Sequence, residues 1–207
     1  MLLLASLPPA AQVEGRIAIH LHMYYEDLAD EFAGYLQQMP FEYDLYVSVA
    51  HETGREGCQK TFAGLPRQQH LAIEIVANRG RDIAPMFCTF GDRLKDYDFI
   101  AHLHSKKSLY NKGATEGWRQ YLCTTLLGSE ANIRRIFGLM QDRQDEQNRQ
   151  PPHGIVYPQN YHLLPYAANS WLANRGMGQA WCARLGIPLP QGYFDFPAGE
   201  LPAVRGE

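Results

Sequence analysis

The sequence predicts an α/β protein whose mostly parallel sheet is flanked by helices. Short apolar runs rich in β-branched residues alternate along the chain with segments in which apolar residues recur at helical spacing. Strands that alternate with helices are typical of parallel sheets, because each helix carries the chain back to the start of the next strand. No internal repeat is visible, and the 207 residues fit one domain. We place that domain at residues 16–199, between a flexible leader, 1–15, and a tail, 200–207.

The predicted elements begin at residue 16, and each has its own sequence signal. Strands are predicted at residues 16–21, 43–50, 71–77, 97–103 and 154–157, where runs such as RIAIHL and YDLYVSVA are apolar. Helices are predicted at residues 25–39, 83–94, 118–127, 132–140 and 169–185. Pro40 ends the first helix, Ser129 is a candidate N-cap, and Gly186 closes the last helix. The polar stretch 51–66 is left open between a short helix and a loop.

Composition disfavours several classes of protein. The 22 acidic residues outnumber the 19 lysines and arginines, and this balance argues against a protein that binds nucleic acid through a basic surface. The four cysteines form no C-x-x-C pair, which argues against a zinc site built on cysteines. The apolar start, residues 1–6, is too short to span a membrane. We therefore expect a cytoplasmic protein, soluble or bound peripherally to the inner face of the membrane.

The first candidate binding segment follows the third predicted strand, at Asn78-Arg79-Gly80-Arg81-Asp82. Gly80 permits a left-handed turn, and the planar guanidinium groups of Arg79 and Arg81 suit phosphate. Asp82 can cap the next helix or accept a hydrogen bond from a ribose or sugar hydroxyl. The alternative is a plain strand-to-helix turn with solvated arginines.

The second candidate segment follows the fourth strand. His102 and His104 alternate along that strand and therefore share a face, and Lys106 and Lys107 are suited to a diphosphate. Arg119, at the start of the next helix, either reaches the same anion or is a surface arginine. The alternative is a buried histidine beside a solvated lysine pair. The histidine pair can also hold a divalent metal ion, but no carboxylate is adjacent in sequence, which disfavours this.

Two weaker candidates complete the set. His20 and His22 share a face of the first strand, next to a tyrosine on which a nucleobase can stack, although aromatic residues at strand ends are usually packing. Asp195 is a candidate catalytic base, although an aspartate in such a place is more often a plain turn residue. Because parallel sheets bind ligands at the carboxyl ends of their strands, we expect these segments to meet at one edge. The sequence has no motif of α/β-hydrolases, P-loop proteins or dinucleotide-binding proteins.

Taken together, these motifs resemble the rhamnan synthesis protein F family. The resemblance lies in residues 20–25, 78–85, 102–108, 117–119, 126–129, 154–158 and 196–199, in that order. It implies a role in making rhamnose-containing polysaccharides and lipopolysaccharide O-antigens, with glycosyltransferase activity. The layout also looks like the nucleotide-binding part of a GT-A glycosyltransferase.

Two departures from these relatives bear on the site. GT-A glycosyltransferases end the fourth strand with a D-x-D pair that binds metal, whereas this chain has His102-Leu103-His104. No cofactor is therefore assigned, a divalent metal stays open, and His102 and His104 are its candidate ligands. After residue 199 the family usually continues into more chain, so we expect the acceptor half to be missing.

Three hypotheses for function follow. The first is a glycosyltransferase that passes activated rhamnose or a related sugar to a glycan or lipid-linked acceptor, with other polysaccharide-assembly proteins as partners. Asn78 and Asp82 would hold ribose or sugar, the lysines and arginines would stabilise the leaving diphosphate, and His104 or Asp195 would act as base. The second is a non-catalytic module that binds nucleotide or glycan beside a transferase. The third is a metal-dependent hydrolase built on the four histidines.

Overall fold

Strands and helices alternate along the chain, as predicted. The computed structural model describes residues 4–105, 107, 117–141, 153–165, 167, 169–194, 196 and 203–205. The strands in these residues are β1 (Ile17–Met23), β2 (Tyr43–Val49), β3 (Gln68–Ile75), β4 (Phe99–His104), β5 (Ile155–Val156) and β6 (Ala203–Arg205). The α-helices are α1 (Ala29–Leu36), α2 (Glu52–Phe62), α3 (Gly91–Leu94), α4 (Trp118–Leu127), α5 (Glu130–Met140) and α6 (Arg175–Leu185).

The strands form one sheet in the order β3-β2-β1-β4-β6-β5. The first four strands are parallel, and β6 runs antiparallel to both β4 and β5. The predicted α/β class with a mostly parallel sheet is therefore confirmed. β6 lies within residues 200–207, so part of the segment that we interpreted as a tail extends the sheet. Because β1 has β2 on one side and β4 on the other, strand order reverses between β1 and β4, where such sheets bind ligands.

The central strands are buried on both faces, and the two faces differ in chemistry. On one face, aliphatic side chains such as Leu21 and Val47 pack with residues of α1, α2, α4 and α5 in the larger core. On the other face, Tyr46 packs with Phe90 and Leu94 in a smaller core. Burial on both faces is typical of parallel strands, which explains why their sequences read as nearly continuous apolar runs.

The segment 76–98 crosses the face of the sheet that carries the smaller core and leads to β4. β3 lies at one edge and β4 lies beyond β1, so the connecting chain must pass over β2 and β1. The ring of Phe90 marks this crossing, with its centroid 5.4 Å from those of His20 and Tyr46. The prediction of one helix at 83–94 is wrong in detail, because a π-helical turn, Pro85–Thr89, precedes the short α3. Such turns are rare and are often found at functional sites.

Other element boundaries differ from the prediction for local reasons. The stretch 51–66, which the sequence left open, contains α2. The last helix begins at Arg175 because a 3-10 turn, Leu172–Asn174, comes first. β3 begins at the polar residue Gln68, which an edge strand tolerates. The longest α-helices in the described residues have 11 residues, and none of these helices combines the length and apolarity that crossing a bilayer requires.

The N-cap of α5 was predicted at Ser129, and the structure confirms it. The Ser129 hydroxyl oxygen accepts a hydrogen bond of 3.2 Å from the backbone N–H of Asn132. We expect Ser129→Ala to lower the free energy of unfolding by about 1 kcal/mol, because an N-terminal donor of the helix loses its partner. Urea unfolding followed by circular dichroism measures this. Ser129→Gly is the matched control, since glycine at an N-cap costs only about a few tenths of a kcal/mol. Equal losses in the two variants would contradict the capping role.

Candidate functional site

Four histidines meet where β1 and β4 run side by side. The parallel register pairs His20 with His102 and His22 with His104. Because side chains alternate along a strand, all four project from the face that carries Phe90 rather than into the larger core. His20, His22 and His102 are buried, with 0%, 7% and 1% of their surface exposed. The two H-x-H patterns in the sequence predicted shared faces within each strand, and the register joins them into one cluster.

Hydrogen bonds connect the imidazoles to each other and to β2. The Nδ1 atoms of His20 and His102 are 2.9 Å apart, and the two rings stack with an angle of 8° between their planes. On the other side, the Ser48 hydroxyl lies 3.2 Å from His20 Nε2 and 2.8 Å from His22 Nδ1. Sequence reasoning missed Ser48. It could have been found as the single serine side chain in the apolar run of β2. It comes two residues after Tyr46 and therefore lies on the same face of the sheet.

Asp82 is the carboxylate of this cluster. It is 4% exposed, and its Oδ2 lies 2.9 Å from His102 Nε2 and 3.4 Å from His104 Nδ1. A buried carboxylate is costly unless donors satisfy it. His102 provides one such donor, and His104 Nδ1 lies close by. Asp82 follows β3, yet it contacts β4, because the crossing segment carries it over β2 and β1.

The directions of these hydrogen bonds follow if His20, His22 and His102 are neutral. His102 Nε2–H donates to Asp82, so His102 Nδ1 accepts from His20 Nδ1–H. His20 Nε2 then accepts from the Ser48 hydroxyl, whose oxygen accepts from His22 Nδ1–H. This assignment of tautomers leaves no two donors facing each other. The result is a directed chain of hydrogen bonds that ends on the carboxylate.

The electrostatics of the cluster agree with neutral imidazoles. Burial lowers the pKa of His20 well below its usual value, and nearby His102 lowers that pKa further. Burial also lowers the pKa of His22, and the pKa of His102 despite the opposing hydrogen bond with Asp82. All three rings are therefore uncharged at neutral pH. The contact between His102 and Asp82 is a hydrogen bond from a neutral ring to a carboxylate rather than an ion pair.

His104 occupies the outer end of the cluster. Its side chain is 12% exposed, and its Nδ1 faces Asp82 at 3.4 Å. Its Nε2 is enclosed and has no hydrogen-bond partner in the part of the chain that the structure describes. An imidazole that a carboxylate holds through Nδ1–H keeps a lone pair on Nε2. That arrangement is the one a general base uses to take a proton from a hydroxyl.

The turn at residues 78–82 has an unusual backbone. Gly80 and Arg81 both have positive φ angles, of 76° and 55°. A Cβ atom on Gly80 would lie 2.3 Å from the Cβ of Ala84, so a larger residue does not fit there. A positive φ is uncommon for arginine, and such backbone strain is concentrated at functional sites. The turn directs Asp82 inward and leaves the other three predicted residues exposed: Asn78, Arg79 and Arg81.

Ser105 and Lys107 connect the end of β4 to the end of β1. The Ser105 N–H donates to the carbonyl of His22 at 2.9 Å, and its hydroxyl accepts from the N–H of Tyr25 at 2.8 Å. Lys107 forms an ion pair with Asp27 and lies 5.2 Å from the ring centre of Tyr25. The hydrogen bond with Lys107 lowers the pKa of Asp27. Sequence reasoning missed Ser105, while the predicted residues Lys106 and Asp195 lie outside the described residues.

Arg119 is engaged by a carboxylate on another helix. Its Nε and one terminal nitrogen donate to the two oxygens of Glu31 on α1, at 3.0 and 2.9 Å. This fork-shaped pair raises the pKa of Arg119 and joins α4 to α1. Its role in binding an anion remains a prediction, and Arg119 would have to share its donors or leave Glu31 to perform it.

The geometry gives the metal hypothesis little support. Among the residues that the structure describes, no three histidine, cysteine, aspartate or glutamate side chains are arranged to hold a metal ion. The Nδ1 atoms of His20 and His102 face each other instead of a shared centre. Binding of a divalent metal, with His102 and His104 as ligands, remains open.

Most of the chain matches a known protein family. Residues 3–178 match the family model described as rhamnan synthesis protein F. The chain belongs to the rhamnan synthesis protein F family. Membership places it among proteins of rhamnan synthesis, and hence of polysaccharide synthesis. A search of curated proteins and a search of solved structures each found no match.

The matched range contains the whole histidine cluster. It begins before β1 and ends within α6, so it includes Asp82 and all four histidines, while Asp195 falls outside. The family resemblance inferred from the sequence motifs is thereby confirmed. The family's part in polysaccharide synthesis says which process the chain serves, and the geometry of the cluster must indicate the chemistry.

Proposed function

We propose that this chain is a glycosyltransferase that takes a sugar, rhamnose or a related one, from a nucleoside diphosphate. The acceptor would be a hydroxyl of a glycan or of a lipid-linked sugar. One observation carries the proposal: His104 lies at the reversal of strand order between β1 and β4, its Nδ1 faces Asp82, and its Nε2 has no hydrogen-bond partner among the described residues. Membership in a family of polysaccharide synthesis supports it.

The proposed step needs a base and a stabilised leaving group. His104 Nε2 is enclosed in the structure, so the groups that cover it must move aside before it accepts the proton of the acceptor hydroxyl. That oxygen forms a bond to the anomeric carbon in the same step. The bond between the anomeric carbon and the diphosphate oxygen breaks, and its electron pair leaves with the nucleoside diphosphate. The imidazolium that forms is stabilised by Asp82, 3.4 Å from Nδ1.

The donor would bind outside the carboxyl ends of β1 and β4. Arg79 and Arg81 are exposed on the turn that leads into Asp82, which supports a role on the diphosphate, with Asn78 on ribose. Lys107 would contribute if it left Asp27, and Lys106, outside the described residues, remains a candidate from the sequence. The sequence indicated that Asp82 accepts a hydrogen bond from a ribose or sugar hydroxyl. We assign it instead to orienting His104, because it accepts from His102 and lies 3.4 Å from His104 Nδ1. The hydrogen-bonded chain of the three buried histidines would hold Asp82 in place: His20, His22 and His102.

The donor site has a direct test. Arg79→Ala/Arg81→Ala should weaken the affinity for nucleoside diphosphates about 10- to 100-fold, because each lost charge-assisted hydrogen bond is worth about 1.5–3 kcal/mol before solvent screening. Isothermal titration calorimetry with a panel of nucleoside diphosphates measures this. Arg55→Ala, on the exposed surface of α2, is the matched control and should bind as the parent does. Unchanged affinity in the double variant would remove the diphosphate from this turn.

A second candidate function is a module that binds nucleotide or glycan without turnover. Two predicted cations, Lys107 and Arg119, are already paired with carboxylates, which leaves less positive charge for a leaving diphosphate. Sugar transfer from a panel of activated sugars to hydroxyl acceptors separates the two candidates. Nucleotide binding without transfer from any donor would favour the module. A donor made in the cytoplasm would place either protein there, beside other polysaccharide-assembly proteins.

A further inference from the structure

Helix α6 carries a row of exposed apolar side chains. Met177, Trp181 and Leu185 follow one another at four-residue spacing, and their exposed fractions are 68%, 51% and 65%. Leu172 before the helix and Ile187 after it are 67% and 53% exposed. We name these five residues the apolar stripe. A continuous exposed row of large apolar side chains usually marks a surface that another body covers.

A different side of α6 is the one that packs on the protein. Gly178 and Cys182 are its buried residues. A Cβ atom on Gly178 would lie 2.5 Å from the ring of Trp171, so the indole sits directly against the helix backbone. That indole also donates to the carbonyl of Pro190 at 3.1 Å. The helix therefore packs on the protein through its small residues, and the apolar stripe takes no part in that packing.

The charge around the apolar stripe differs from that of the whole chain. The chain has more acidic than basic residues, 22 against 19, yet residues 147–194 contain no aspartate or glutamate. Arg175 and Arg184 lie at the two ends of α6. The Arg184 guanidinium is 4.6 Å from the ring centre of Trp181, so positive charge and exposed aromatic surface lie together.

We propose that α6 docks on an anionic lipid bilayer, with the apolar stripe in the headgroup region and both arginines on lipid phosphates. Helices that lie in a bilayer surface combine exposed apolar and tryptophan side chains with arginine or lysine. A second copy of this chain is a poorer occupant. Two such helices packed together would bring arginines against arginines, with no carboxylate between residues 147 and 194 to compensate.

Flotation with lipid vesicles tests the proposal independently of any transferase activity. The full chain should float with vesicles of equal parts phosphatidylcholine and phosphatidylglycerol, and much less with phosphatidylcholine alone. Arg175→Gln/Arg184→Gln should reduce binding to the anionic vesicles about fivefold for each arginine. Met177→Ser/Trp181→Ser/Leu185→Ser should reduce it at least about tenfold, because the buried apolar area is lost.

A matched variant distinguishes binding through the apolar stripe from nonspecific binding of exposed apolar side chains to lipid. Ile75→Ser/Phe87→Ser changes exposed apolar residues elsewhere, 45% and 66% exposed, and should float as the parent does. Far-ultraviolet circular dichroism confirms that each variant is folded. Equal flotation of the parent and the triple variant would overturn the proposal. So would a parent that ignores anionic vesicles, or one that forms dimers which the triple variant loses, because the occupant would then be a second copy or another protein.

Discussion

Replacing His104 with asparagine should lower the rate of sugar transfer about 10²- to 10⁴-fold, the usual contribution of a general base. The asparagine amide keeps an N–H group near Asp82 at the position of Nδ1, but it has no group that can take a proton at the position of Nε2. The chemical step should therefore slow while the fold and the donor site persist. Steady-state kinetics give the rate, and calorimetry gives the donor affinity.

Two further variants sharpen that result. His51→Gln changes an exposed histidine at the start of α2 and should transfer sugar as the parent does. Asp82→Asn keeps the size of the side chain but removes its charge, so it should lower kcat for transfer while the donor affinity stays close to that of the parent. A merely structural role for Asp82 would lower kcat and donor affinity together. Full transfer activity in His104→Asn would end the assignment of His104 as base.

Lowering the pH from 7.5 to 5.5 should destabilise the fold strongly. The folded pKa values of His20, His22 and His102 are lowered, chiefly by burial, while in the unfolded chain histidine titrates near 6.5. The contribution of these histidines to the free energy of unfolding is therefore fully present above about pH 6.5. It is lost as the pH falls below that value, because the unfolded chain then binds protons that the folded chain does not bind. Each histidine contributes a slope of up to about 1.4 kcal/mol per pH unit.

Urea unfolding at a series of pH values measures this loss. His22→Asn removes one of the titrating groups and keeps a donor toward Ser48, so its stability should depend less steeply on pH than that of the parent. His51→Gln, on the exposed surface, should keep the parent's slope. A parent whose stability is flat between pH 7.5 and 5.5 would show that these imidazoles are not buried and neutral.

The sequence predicted much of the fold because its strands are short and strongly apolar. It also predicted that His102 and His104 share a face, since alternation depends on the strand alone. It could not pair them with His20 and His22, because that pairing depends on which strands are neighbours. The contact between Asp82 and β4 was equally hidden, since it depends on the path of the crossing segment.

The partners of the predicted cations were beyond local sequence patterns. Lys107 meets Asp27 across 80 residues of chain, and Arg119 meets Glu31 across 88. Sequence rules for turns and helices concern residues only a few positions apart. They therefore left Lys107 and Arg119 available, in the prediction, to bind an anion. The packing of α1 against α4 pairs Arg119 with Glu31 instead. Packing between helices depends on the assembled core and cannot be predicted from periodicity along the chain.

The in-register pairing of β1 and β4 also guards against misassembly. A pairing shifted by one residue would turn one strand over and drive its histidines into the aliphatic core, away from Ser48 and Asp82. Each imidazole stranded there would cost roughly 1–3 kcal/mol for its unmet hydrogen bonds. The polar residues that we assign to chemistry thus also select the correct alignment of the central strands as the sheet forms.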